Sequence, residues 1–233
     1  MGLTTVELKW FSHYIEMIEA FTDNSLTLFR WQNCDKPLLP RIARNKTMEL
    51  KETIIFEEFK RKCPRFINVV WKNDWELLAI AQHHWLPTRL LDWTKNPLIA
   101  LWFACDKEKI GRKDKWVVWL LSAFDDDIIN INTLSSPFKG ERTKIYQPND
   151  ISERIISQSG WFTVHKRNNS DGWKFVPFER NKFYQDRLIK IEINKKFFKK
   201  FRKILSTMGV DESTIFPDIN WMCKHIAWSQ LWK

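Results

Sequence analysis

Three short segments of this chain concentrate residue types that can bind and polarise a charged ligand. The first is Leu28-Phe29-Arg30, an arginine at the end of an apolar, alternating run. A guanidinium in such a place is costly unless its fork meets a carboxylate or an anion. It suits a phosphate or ribose anchor, and it suits a structural ion pair equally. The second segment is the densest. From Gln82 to Thr94 the chain reads Gln-His-His-Trp-Leu-Pro-Thr-Arg-Leu-Leu-Asp-Trp-Thr. Gln82, His83, Thr88, Arg89, Asp92 and Thr94 interleave with apolar residues there, which implies a shared hydrogen-bond network. An Arg89–Asp92 pair is its expected centre, so losing Asp92 is expected to destabilise the chain more than to silence it. His83 and His84 are adjacent and point apart, a poor metal pair. The third segment is Arg154-x-x-x-Gln158-x-Gly160-x-Phe162, whose four-residue spacing sets Arg154 and Gln158 on one helix face before a glycine turn. Glu153 reads as a capping residue of a box opened by Asp150.

The elements that must carry these groups follow from pattern and punctuation. The 233 residues suffice to bury roughly three-quarters of the unfolded surface. Fourteen Trp and 17 Phe against 6 Gly exclude disorder and leave little glycine for phosphate loops. No linker or repeat divides the chain, so residues 1–233 are expected to form a single domain. Helices are expected over 6–20, over 46–62 with Glu and Lys on the outer face, from an Asp74 cap to His84, from Asn96-Pro97 to Cys105, near 153–160, from Asn194 to Met208, and after Pro217. Strands are expected over 25–31, 115–122, 161–165 and 188–193, with a loop and a short strand within 85–94. Residues 123–147 look polar and mobile, with Asp125-Asp126-Asp127 an exposed turn or cap. Mixed elements without regular alternation make the fold class α+β.

Thirty-eight Lys and Arg against 28 Asp and Glu give a net charge of +10, which suits nucleic acid, phosphorylated ligands or an acidic protein as partners. It suits equally a surplus that only keeps the protein from aggregating. Four scattered cysteines, Cys34, Cys63, Cys105 and Cys223, form neither a disulfide framework nor a zinc site. The N-terminus lacks a signal-peptide core, and the longest apolar run, Leu98 to Cys105, is too short for a bilayer. A soluble, cytoplasmic protein is expected, with no metal and no membrane partner. A metal-dependent nuclease is disfavoured, because no carboxylate pair has convincing spacing.

Together these segments resemble the FRG domain family, named for a Phe-Arg-Gly signature. Phe29-Arg30 and the 82–94 block carry the resemblance, with Asn96-Pro97, Ala100 to Ala104, the 154–162 block and Ile215-Phe216-Pro217-Asp218. It spans about residues 25–225. Two residues depart from the family pattern: Trp31 replaces the signature Gly, and Trp85 stands where the family usually has Gly. The motif order is also similar to that of ADP-ribosyltransferases, which hold NAD with a strand-borne Arg or His. There a Ser-Thr-Ser-like strand end feeds a helix, and a later Glu contacts the ribose. That resemblance implies a mixed-sheet core, NAD as substrate and a mono-ADP-ribosyl transferase acting on protein or nucleic acid, as a bacterial toxin or phage-defence effector. Arg30, Thr94 and Gln158 would then be catalytic. Gln82, His83, Thr88, Arg89, Asp92 and Arg154 would line the cofactor site beside Arg30, with Trp31 and Trp93 free to stack on a base. Gln158 cannot stabilise a cation as a carboxylate does, which leaves Glu153, Glu179 and Glu192 as candidates for the missing acid. The alternative is a non-catalytic module that binds a nucleotide or nucleic acid in the same groove.

Overall fold

The continuous apolar run at Trp116 to Leu121 becomes a strand because both of its faces are covered. In a computed structural model it lies inside a seven-stranded mixed sheet, β4 of the order β1-β9-β4-β2-β3-β6-β5. The structure describes residues 3–21, 26–32, 35–105, 115–149, 153–168 and 174–216, with Cys223 and Ile226. The strands are β1 (Thr4–Leu8), β2 (Leu26–Gln32), β3 (Leu90–Thr94), β4 (Lys115–Ala123), β5 (Lys144–Tyr146), β6 (Gly160–Val164) and β9 (Leu188–Asn194). A separate ribbon pairs β7 (Arg167–Asn168) with β8 (Lys174–Phe175). The helices are α1 (Phe11–Glu19), α2 (Lys46–Leu50), α3 (Glu52–Lys62), α4 (Asp74–His83), α5 (Pro97–Ala104), α6 (Glu153–Ser157), α7 (Phe198–Thr207) and α8 (Glu212–Ile215).

Strand parity sorts the core. Phe29, Trp116, Val118, Leu120, Ile191 and Ile193 meet Tyr14 of α1, the apolar α5, and Phe198, Phe201 and Leu205 of α7. The opposite parity, including Leu28, Val117, Trp119 and Leu121, packs with Trp93 and Trp161 beneath Leu38, Phe178 and Tyr184. Farther along, Leu90, Phe162 and Val164 pack against Phe56 of α3 and Trp75 and Leu78 of α4. The mixed sheet with segregated helices agrees with the expected α+β class.

Several local expectations are corrected. Residues 6–8 are strand, because β1 pairs in parallel with β9. The 46–62 helix breaks at Lys51, and its Glu52 is buried rather than on the outer face. Asn73, not Asp74, caps α4, through a reciprocal box with Glu76. The 123–147 stretch contains β5 and a buried Asp127 held by Arg142 and Arg187. Asn96 caps α5 as expected, and Gly209 follows α7 at φ 78°, where a side chain would be strained. Asp150, Cys34, and the helix expected after Pro217 lie outside the described residues.

Candidate functional site

The sheet parts between β2 and β3. β2 pairs with β4 along all seven of its residues, yet it meets β3 only where Phe29 lies opposite Thr94. Beyond that pair the two strands diverge, and a cleft of about 400 Å³ opens between them. Arg30 lies in the split. Its Nη1 donates to the Asp92 carbonyl at 2.5 Å and lies 3.7 Å from the Asp92 carboxylate. Its Nε is buried and has no hydrogen-bond partner among the described residues. Burial pushes the Arg30 pKa down to about 10 despite the neighbouring Asp92 charge, with Arg44 adding to the fall. The guanidinium is thus under-compensated, a state that a bound anion would relieve.

Asp92 is the one carboxylate among the residues lining the cleft. Its side chain is about half exposed, and Gln82 Nε2 donates to both carboxylate oxygens, at 3.2 and 3.1 Å. Gln82 is oriented in turn by the Thr88 hydroxyl, which donates to its Oε1 at 2.7 Å. The relay from buried Thr88 through Gln82 to Asp92 fixes an acid in the cleft while leaving one side open. His83 also lines the cleft. Burial first, then the Arg154 and His84 charges, hold its pKa below the ordinary histidine value, so the ring is neutral at pH 7. Lys36, Arg44 and Arg154 complete a basic rim.

Sequence-level assignments divide here. Arg30, Gln82, His83, Asp92, Arg154 and Gln158 converge on the cleft from three distant segments. Gln158 follows α6 and its side chain approaches the Ile215 carbonyl at 3.5 Å. Thr94 lines the cleft but is buried, donating to the Gln158 carbonyl at 2.6 Å and accepting from Asn96 N–H. It therefore ties β3 to the end of α6, and its hydroxyl proton is already spent. Thr88 sits behind Gln82, outside the cleft lining. Arg89 is also elsewhere, and the expected Arg89–Asp92 pair is absent. Its Nε and Nη2 grip Glu52 at 2.9 and 2.6 Å, and Nη1 donates to the Pro137 carbonyl. Three residues along an extended strand span about 10 Å and fall on alternate faces, which separates Arg89 from Asp92.

None of the spare acids reaches the site. Glu153 is exposed, Glu179 accepts from Leu38 N–H, and Glu192 lies beside Lys190. The stacking candidates are occupied as well. Trp31 stacks on Phe103 with ring centroids 4.0 Å apart, and buried Trp93 donates to Thr163. Lys36, Arg44 and Gln32 carried no sequence signal that would have placed them here.

With this geometry in hand, the chain can be set beside known families. Residues 25–113 match the FRG domain. The match takes in Arg30, Gln82, His83 and Asp92, while Arg154 and Gln158 reach the cleft from beyond its end. No curated protein and no solved structure matches the chain. The two departures from the FRG pattern now have a structural account. Trp85 adopts φ 66°, a left-handed conformation that glycine takes without strain. Its carbonyl accepts from Arg41 Nη1 at 2.6 Å, which holds the turn, and its ring stands 69% exposed at the cleft mouth. Trp31 lies in the cleft wall, its ring stacked on Phe103 of α5. The FRG segment therefore supplies the anchor and the acid, with an exposed aromatic at the entrance.

Among the described residues no helix is long and apolar enough to cross a membrane, and no cluster of three or more metal-ligating side chains occurs.

Proposed function

We propose that this cleft binds NAD and that the chain is an ADP-ribosyltransferase-like enzyme, passing ADP-ribose to a protein or nucleic-acid acceptor. The observation that carries the proposal is Arg30, buried in the parting of the sheet with an unpartnered Nε, next to an oriented carboxylate. The dinucleotide pyrophosphate is an anion of the kind the Arg30 fork and the basic rim would hold. The order of elements adds support: a strand-borne arginine, a strand end feeding α5, and a later polar residue, Gln158, at the same opening.

The carboxylate role moves from the later glutamates to Asp92. When the nicotinamide–ribose bond breaks, its electron pair leaves with nicotinamide and positive charge develops on the ribose. Asp92 can stabilise that charge, and Gln82 holds it in place. The acceptor's lone pair then forms the new bond to the ribose carbon. Its proton passes to neutral His83 or to water. Gln158 would position a ribose hydroxyl.

A second reading, a nucleotide-binding module without turnover, draws on one observation: Gln82 and Arg30 already engage the Asp92 carboxylate, which blunts its field. Incubation with NAD labelled in the nicotinamide and adenosine halves separates the two. Nicotinamide release with adenosine label on an acceptor supports the transferase. Saturable quenching of cleft tryptophans without release supports the module, and no binding at all overturns both.

A further inference from the structure

A second concavity, larger than the cleft, lies elsewhere on the sheet. It is a basin of about 1180 Å³ beyond the other ends of β3 and β6. In the β3–β6 register Thr94 lies opposite Gly160 at the cleft end, while Leu90 lies opposite Val164, one residue from Arg89 and two from Lys166. Six cationic side chains line the basin, against one carboxylate, Glu141. Two of the six are neutralised: Arg142 binds Asp127 at 2.8 Å, and Arg167 lies within 4 Å of Glu49 and Glu52. The other four, Lys144, Lys166, Arg180 and Lys182, have no carboxylate within ion-pair distance among the described residues. Four uncompensated cations around one concavity form a phosphate-binding electrostatic surface.

Phe183 stands among them, 45% exposed. Its cationic neighbours are Arg142, 5.1 Å from the ring centre, and Lys182, at 5.5 Å. Arg142 is pinned by Asp127, whereas exposed Lys182 is free to swing to a phosphate and leave the ring to a base. Cations that track a backbone beside an aromatic platform are the chemistry of single-strand recognition. A duplex would instead need a protruding helix or ribbon to enter its groove. An acidic peptide would use the cations and leave the exposed ring without a partner.

We infer that this basin is a binding site for single-stranded nucleic acid, with Lys144, Lys166, Arg180 and Lys182 on the phosphates and Phe183 stacked on a base. The inference does not depend on what the cleft binds.

Fluorescence anisotropy with a labelled oligothymidylate of about fifteen residues tests it, titrated at several salt concentrations. Wild type should bind with a log K against log salt slope near −3, at about −0.7 per phosphate neutralised. The exposed pair Arg180→Glu, Lys182→Glu should weaken binding at least tenfold and flatten the slope by about 1.4 units. Phe183→Ala should weaken it about tenfold with the slope unchanged. Arg30→Ala should bind the oligonucleotide as wild type does, which separates this site from the cleft. Circular dichroism confirms that the variants fold. Wild type that binds no oligonucleotide, variants that bind it equally well, or equal affinity for polyglutamate would each overturn the inference.

Discussion

Arg30 and Arg89 are two buried arginines flanking the same short strand, and they have opposite fates. Arg89, just before β3, has a partner on each nitrogen: Glu52 takes two, the Pro137 carbonyl the third, and the Phe138 ring centre lies 4.7 Å from the guanidinium carbon. Arg30, at the other end, has one backbone acceptor, a carboxylate at 3.7 Å and a buried Nε with no partner among the described residues. Burial alone therefore does not tell a structural arginine from a binding one. A buried nitrogen left without a partner does, because its desolvation is offset only when a ligand supplies an acceptor.

The largest effect expected from this contrast is at Glu52. Glu52→Ala strands the Arg89 charge in the interior and should cost about 3–5 kcal/mol of stability, measured by urea unfolding. A loss below about 1 kcal/mol would remove the distinction between the two ends. Asp92 should behave in the opposite way. Half exposed, Asp92→Asn should unfold within about 1 kcal/mol of wild type. Its nicotinamide release should nevertheless fall about a hundredfold, because it no longer stabilises developing positive charge. That outcome replaces the destabilisation which an Arg89–Asp92 pair had predicted.

Arg30→Ala should weaken NAD binding by roughly 1.5–3 kcal/mol, read by tryptophan quenching, and Arg30→Lys should restore little of it. Arg30→Met should be as stable as wild type or more so, since the buried charge is poorly compensated without ligand. A large stability loss in Arg30→Met would place Arg30 in the same class as Arg89.

The smallest effect comes from His165, which lies between the two ends. Burial first, then the charges of Arg30 and Arg89, push its pKa down to about 3. Unfolded, it titrates near 6.5. The unfolded chain therefore takes up the proton first, and His165's contribution is present above pH 6.5 and lost as pH falls toward 3. Urea unfolding at pH 7 and pH 5 should show about 2 kcal/mol of loss in wild type, and much less in His165→Gln. An unchanged slope in that variant would mean that His165 is not the group held neutral by burial in the folded protein.

Much of this protein was legible in the sequence because it depends on local rules. Asn96-Pro97 opens α5, the valine- and tryptophan-rich run makes β4, and Gly209 follows α7. The types of residue needed for an anion site, Arg30 with the 82–94 block, were equally visible. Their division of labour was not. Strand β1 exists only because β9, more than 180 residues later, supplies its hydrogen-bond partners, so no local pattern separates Val6 to Leu8 from helix. Glu52 looks like any outward-facing helix acid until α3 packs over β3 and its carboxylate meets Arg89. The cleft itself is a failure of pairing between β2 and β3, set by where each strand's other neighbour holds it. Sequence alone determined which groups carry charge and which segments are extended or helical. Tertiary structure decided which charges are satisfied, because that depends on partners brought close only when the chain closes on itself.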